Sequence, residues 1–164
     1  MTKKNTIIFD LDRTIWDCYC KYGNPIWAKQ LIPPFKIESP DKIVDDVGSS
    51  CNLQPGFKEA FIRLYASGHN LGFVSRGGIL GAKDESQPSV VFLKMFGVYN
   101  LFGKHRHMLY KTDDKGVILQ QIVNDLGPIV FIDDMEIDIE SAQKVKNVEV
   151  VNRFSFDDWG QFFI

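Results

Sequence analysis

The sequence predicts a doubly wound α/β domain: a parallel sheet covered on both faces by helices, carrying one small flap and no large inserted cap. Three observations lead there. Short apolar runs alternate with amphipathic stretches along most of the chain, the signature of repeated strand–helix–strand units. The 164 residues are 45% hydrophobic, enough for one buried core. Polar residues suited to phosphate chemistry stand just after the apolar runs, where such sheets bind ligands.

The elements follow in chain order. Residues 6–9 (TIIF) read as a short buried strand. Residues 17–54 then break the alternation with Pro, Gly and Asp; within them PFKIES and DKIVDD can pair as a hairpin around Ser39-Pro40-Asp41. A flap inserted in a single domain of residues 1–164 is expected, because so short a segment buries little core of its own. Phe57, Ala60, Phe61, Leu64 and Tyr65 recur at helical spacing, and Gly68 supplies a stop. Residues 70–74 form a second strand, and the segment GGILGAKDESQPS that follows Ser75 is long and unusual. Residues 107–110 are a weaker strand candidate. A helix spans 115–126, with Val117, Ile118, Ile122, Val123 and Leu126 on one side and Gly127-Pro128 closing it. Strands at 129–132 and 148–151 complete the sheet, and SFDDWGQFFI is expected to form a short closing helix capped by Ser155.

Bulk properties exclude several classes. A net charge of −2 with no long run of one sign argues against general nucleic-acid binding. The opening MTKKNTIIFD runs from a few apolar residues straight into aspartate, so neither a signal peptide nor a membrane span is expected and the protein reads as cytoplasmic. Cys18, Cys20 and Cys51 are odd in number and lack paired metal spacing, so reduced thiols are expected. No GxxxxGK(S/T) loop is present, which disfavours a nucleotide kinase.

Asp10 and Asp12 stand at the end of the first strand, Ser75 after the second, Lys111 and Lys115 after the weak one, and Asp133-Asp134 after the fourth. Four strand ends thus converge on one rim. A carboxylate can attack phosphorus to give an aspartyl-phosphate, and Asp10 is the candidate nucleophile. A second carboxyl, two residues on along extended chain, can serve as acid and then base, the role assigned to Asp12. Acidic groups facing a phosphate dianion call for a hard divalent cation, Mg²⁺, held by Asp10, the Asp12 carbonyl and Asp134, with Asp133 and Asp138 acting directly or through water. Ser75 and Lys115 would stabilise the transferring phosphoryl group, with Leu11, Asp12 and Arg76 as further phosphate or substrate contacts.

These residues carry a resemblance. FDLDRT resembles the DxDx(T/V) signature of the haloacid dehalogenase (HAD) superfamily of phosphohydrolases, and FVSRG, DDKGVIL and FIDDMEID resemble its second, third and fourth motifs in order. FDLDRTIW, VSR and the stretch from PPFKIES to LQPGFKEAF are similar to the magnesium-dependent phosphatase-1 branch over most of the chain. The resemblance implies Asp10 as nucleophile, Asp12 as acid/base, Ser75 and Lys115 on phosphate, Asp134 on Mg²⁺, and Thr14 supporting the loop. Lys115 fits the motif-three lysine better than Lys111. Arg13 stands where that branch often has an aromatic or small polar residue.

Each feature also has a plainer reading. Aspartates end strands and cap helices, Ser75 can be a turn residue, Lys115 a solvated charge, and Asp133-Asp134 a cap for the helix that follows. Their conjunction in order favours chemistry. His105 and His107 read as surface or core-edge residues, Asp45 and Asp46 as turn residues, while Trp16 and Trp27 suit either the substrate entrance or packing. A phospho-receiver domain, or an inert phosphate- and Mg²⁺-binding signalling protein, is the competing class; a receiver places its acidic pair first, and a switch that stores phosphate has no need of Asp12. The expected activity is a Mg²⁺-dependent phosphomonoesterase whose open site takes a phosphorylated sugar, a phosphoprotein side chain or a nucleic-acid end.

Overall fold

In β1 (Thr6–Phe9), Ile7, Ile8 and Phe9 are all fully buried, as a strand with layers on both faces requires. This computed structural model describes residues 4–110 and 112–162. Alternation along β1 splits the core in two. Ile7 and Phe9 join a cluster with Phe57, Phe61, Phe73 and Trp159, while Ile8 joins Val74, Leu119, Ile122 and Phe131 on the other face. Phe9 makes ring contacts with Phe57, Phe61, Phe102 and Trp159, centroids 5.6–6.3 Å apart. Its truncation to alanine would cost about 3–5 kcal/mol.

The flap comes next in the chain. β2 (Trp16–Tyr19), β3 (Pro25–Ile26), β4 (Phe35–Ser39), β5 (Lys42–Asp45) and β6 (Ser50–Leu53) form an antiparallel sheet ordered β3-β2-β6-β5-β4. The expected hairpin is β4–β5. Asp45 is more than a turn residue: its buried carboxylate accepts bonds from the backbone N–H groups of Ile32, Val47 and Ser49.

The main sheet resumes after α1 (Phe57–Ala66) with β7 (Asn70–Ser75). Tyr65 points to solvent, so the buried face of α1 is Phe57, Ala60, Phe61 and Leu64. α2 (Pro88–Met95) was not anticipated: its central residues are apolar all round and show no helical period, because the core and the flap enclose it. Phe92 of α2 meets Trp16 and Phe35 of the flap at 6.0 and 4.8 Å. Buried Gln87 ties down the unusual segment before it, accepting from Ile79 N and donating to the Ile79 and Ala82 carbonyls.

β8 (Arg106–Met108), α3 (Lys115–Leu126), β9 (Ile129–Asp133), α4 (Glu136–Gln143) and β10 (Val148–Asn152) complete the domain. The weak strand is therefore real, lying one residue earlier than expected at its start. On α3, Ile122 and Val123 are buried and Ile118 and Leu126 half-buried as expected, whereas Val117 is exposed and Leu119 joins the buried face. The five parallel strands run β10-β9-β1-β7-β8, placing β1 at the centre. Among the described residues the closing helix is absent: residues 153–155 and 159–161 are separate 3₁₀ turns, and Asp158, not Ser155, caps the second by accepting from Gly160 N. No helix among the described residues is long and apolar enough to cross a membrane.

Candidate active site

Register brings the acidic residues together. Phe9 pairs with Ile132, and the Asp10 N–H continues the ladder by donating to the Ile132 carbonyl at 2.8 Å. Asp10 and the Asp133-Asp134 pair therefore leave adjacent strands at the same edge. One carboxylate oxygen from each of the three lies within 4.8 Å of the others. Thr14 supports the group: its hydroxyl lies 3.3 Å from Asp10 Oδ2 and 3.4 Å from Asp134 Oδ1, in position to donate to either.

Lys115, 1% exposed, is the cation in this cluster. Its ammonium donates to Asp10 Oδ1 at 2.8 Å and Asp133 Oδ2 at 2.6 Å, and lies 3.2 Å from Asp138 Oδ2. Burial works against the charge, yet Asp10, Asp133 and Asp138 outweigh it and raise the ammonium above its usual range. The lysine opens α3, where Asp114 caps the helix by accepting from Gly116 N at 2.8 Å and also accepts from the Ser141 hydroxyl at 2.6 Å. A Cβ on Gly116 would stand 2.5 Å from Ser141 Oγ, so glycine allows α4 its close approach. Lys111 lies outside the described residues.

Asp138 does not join the carboxylate group directly. Its carboxylate is committed to Lys115 and to Arg76, whose Nε and Nη2 donate to Oδ1 at 3.0 and 2.6 Å, and it stands apart from the Asp10–Asp133–Asp134 group. Arg76 lines the cavity with its guanidinium engaged in this way. Leu11 is fully buried in the core, so its side chain meets no substrate and only its backbone can face a phosphate.

Asp12 is held differently. Its Oδ1 accepts from Trp16 Nε1 and from Ala28 N, both at 2.9 Å. Burial, only partly opposed by these two bonds, raises its pKa from 3.8 to about 6. Burial, and then the Asp10 charge, also raise Asp133 and Asp134. Three carboxylates converging on one point, against the single ammonium of Lys115, offer oxygen donors that fit a hard divalent cation.

The loop between β1 and β2 carries local strain. Arg13 adopts φ +62° without being glycine. This reversal brings Trp16 back beside Asp12, with the Arg13 N–H donating to the Trp16 carbonyl at 2.7 Å. The Arg13 guanidinium stacks 4.9 Å from the Trp27 ring. Sequence reasoning missed what anchors the loop: buried Arg153 donates to the Thr14 carbonyl at 3.2 Å and to Gln54 Oε1, and Trp159 Nε1 donates to the same carbonyl at 3.2 Å. An arginine surrounded by apolar residues, in NRFSF, was the available signal.

A cavity of about 360 Å³ opens over the cluster, with Asp10, Asp12, Ser75 and Lys115 among its lining. Ser75, the buried last residue of β7, thus reaches the same space as the carboxylates. Trp27 and Lys29 from the flap also line it, as do Met135 and Ile137 from the start of α4. Trp16 does not line the entrance: it is fully buried where the flap packs on α2.

The doubly wound sheet thus gathers acidic, hydroxyl and ammonium groups at one carboxyl edge, where such sheets bind ligands. Residues 3–152 match the acid phosphatase family, and the chain belongs to it. The fold is similar to that of a haloacid dehalogenase-like hydrolase from Streptococcus pneumoniae, at 13% identity and TM-score 0.56 over 93% of this chain and 85% of that one. A predicted phosphoglycolate phosphatase from Haemophilus somnus 129PT is 23% identical, with TM-score 0.48, over 62% of this chain; the match spans 44% of that protein's length. A search of curated proteins finds no match.

Proposed function

We propose that the protein hydrolyses phosphomonoesters with Mg²⁺, through an aspartyl-phosphate on Asp10. The observation that carries this reading is the meeting of Asp10, Asp12, Ser75 and Lys115 on one cavity, beside the Asp133-Asp134 pair. An Asp10 oxygen attacks phosphorus and the bond to the leaving oxygen breaks, while Asp12 gives that oxygen its proton. Water then attacks the phosphorus, its proton passes to Asp12, and the acyl-phosphate P–O bond breaks to release phosphate and free Asp10. Lys115 and Ser75 neutralise charge on the equatorial oxygens, the Leu11 backbone and Arg76 border the phosphate, and Thr14 steadies Asp10. Asp10, Asp134, Asp133 and the Asp12 carbonyl would hold Mg²⁺, which when bound supplies charge neutralisation on the phosphate.

Asp12, buried with one oxygen held, supports hydrolysis over stable storage of the phosphoryl group. The motifs FDLDRTIW and VSR, which resemble those of the magnesium-dependent phosphatase-1 branch, support this reading. The single domain with its flap, lacking a large cap, leaves a site open to a phosphorylated sugar, a phosphoprotein side chain or a nucleic-acid end. Arg13, Arg76 and the flap would select among them, and three free thiols suit a cytoplasmic location.

The test is phosphate release from an aryl phosphate, with Mg²⁺ and with chelator, for the natural protein and for Asp10→Asn and Asp12→Asn. Turnover that needs the cation and both carboxylates is expected. Turnover that survives chelation or Asp10→Asn would overturn the mechanism.

A further inference from the structure

The two oxygens of Asp12 have different surroundings. Oδ1 accepts from both Trp16 Nε1 and Ala28 N at 2.9 Å, and two donors on one oxygen fix the rotation of the carboxyl group. Oδ2 faces Gly77, where a Cβ would stand 3.3 Å from it, and Gly77 lines the cavity. The protein therefore grips one oxygen and presents the other.

The grip itself is rigid. Trp16 is fully buried, its ring 6.0 and 6.3 Å from those of Phe92 and Phe96 on and beside α2. Ala28 is equally buried and begins the 3₁₀ turn Ala28–Gln30, whose neighbours Trp27 and Lys29 line the cavity. A buried indole N–H needs some acceptor, and a backbone carbonyl would serve at lower cost than a carboxylate.

We propose that Trp16 and the flap amide of Ala28 clamp Asp12 so that Oδ2 points at the leaving oxygen, with Trp16 as the positioning residue. The flap turn that borders the leaving group then also aims the acid that protonates it. This inference rests on the acid/base reading of Asp12.

Leaving-group dependence tests it. Up to formation of the aspartyl-phosphate, which kcat/KM reports, Asp12 acts only by protonating the leaving oxygen. 2,4-Dinitrophenolate departs with little need of that proton, whereas an alkoxide requires it. For Trp16→Phe, kcat/KM should fall about 10- to 100-fold further on a simple alkyl phosphate than on 2,4-dinitrophenyl phosphate. Benzothienylalanine at position 16, in which sulfur replaces the indole N–H at nearly unchanged volume, should show the same divergence without a packing defect. Asp12→Asn is the control and should diverge at least as far. Equal losses on both esters in the position-16 variants, or no loss, while Asp12→Asn diverges, would overturn the clamp alone. If Asp12→Asn also lost equally on both esters, the acid/base reading would fall with it.

Discussion

Replacing Asp12 by asparagine removes a buried charge while keeping an oxygen that can accept from Trp16 Nε1 and Ala28 N. Burial chiefly lifts the carboxyl from 3.8 to about 6 in the folded chain. A carboxyl whose folded pKa is raised contributes its full stability below the unfolded pKa and loses it as pH rises through the folded one. Between pH 4 and about 6, folding is therefore progressively opposed, and above that range the ionised group costs about 3 kcal/mol, from roughly 1.4 kcal/mol per pKa unit. Asp12→Asn should recover this while slowing turnover. Urea unfolding followed by tryptophan fluorescence, in chelator so that no cation compensates the cluster, measures it. With a slope of about 2 kcal/mol/M, the variant's midpoint should lie about 1.5 M above that of the natural protein at pH 8, and the gap should close near pH 4. A variant no more stable at pH 8, or a gap that persists unchanged at pH 4, would refute the reasoning.

Lys115→Met leaves Asp10, Asp133 and Asp138 without their shared ammonium and should lower phosphate release at least about 100-fold; in chelator at neutral pH it should also lose about 3–5 kcal/mol of stability by denaturant titration. Gly116→Ala drives a Cβ against Ser141 Oγ and should cost about 1–3 kcal/mol in thermal unfolding, with Ser141→Ala in the same chain restoring part of the loss. Arg153→Met removes the donors to the Thr14 carbonyl and Gln54 and should cost about 2–3 kcal/mol, together with reduced kcat from a loosened Asp10–Thr14 loop.

The sheet was legible because β1, β7, β9 and β10 are short apolar runs, and the rim was legible because a parallel sheet presents its carboxyl ends to ligands. What escaped depends on contacts remote in sequence. The centre of α2 is an unbroken apolar run, so periodicity could not distinguish it from a strand. The tail around Trp159 has the spacing of a helix, yet Phe156, Trp159 and Phe162 pack on one another and hold the chain in turns. Asp138 follows the acidic pair closely in sequence, but the first turn of α4 directs it to Arg76 and Lys115. Trp16 meets Asp12 only because Arg13 reverses the chain, a backbone state that FDLDRTIW does not announce.

The central place of β1 bears on how the protein is made. The strand that carries Asp10 leaves the ribosome well before its neighbour β9, which comes about 120 residues later, and the Thr14 carbonyl waits longer still for Arg153 and Trp159, separated from it by 139 and 145 residues. A nascent chain therefore carries an exposed DLD segment without its lysine, its acidic partners or its anchors. A chain stalled before residue 153 would already hold Asp10, Asp12, Lys115 and the Asp133-Asp134 pair, yet the loop after β1 would lack the two side chains that hold the Thr14 carbonyl.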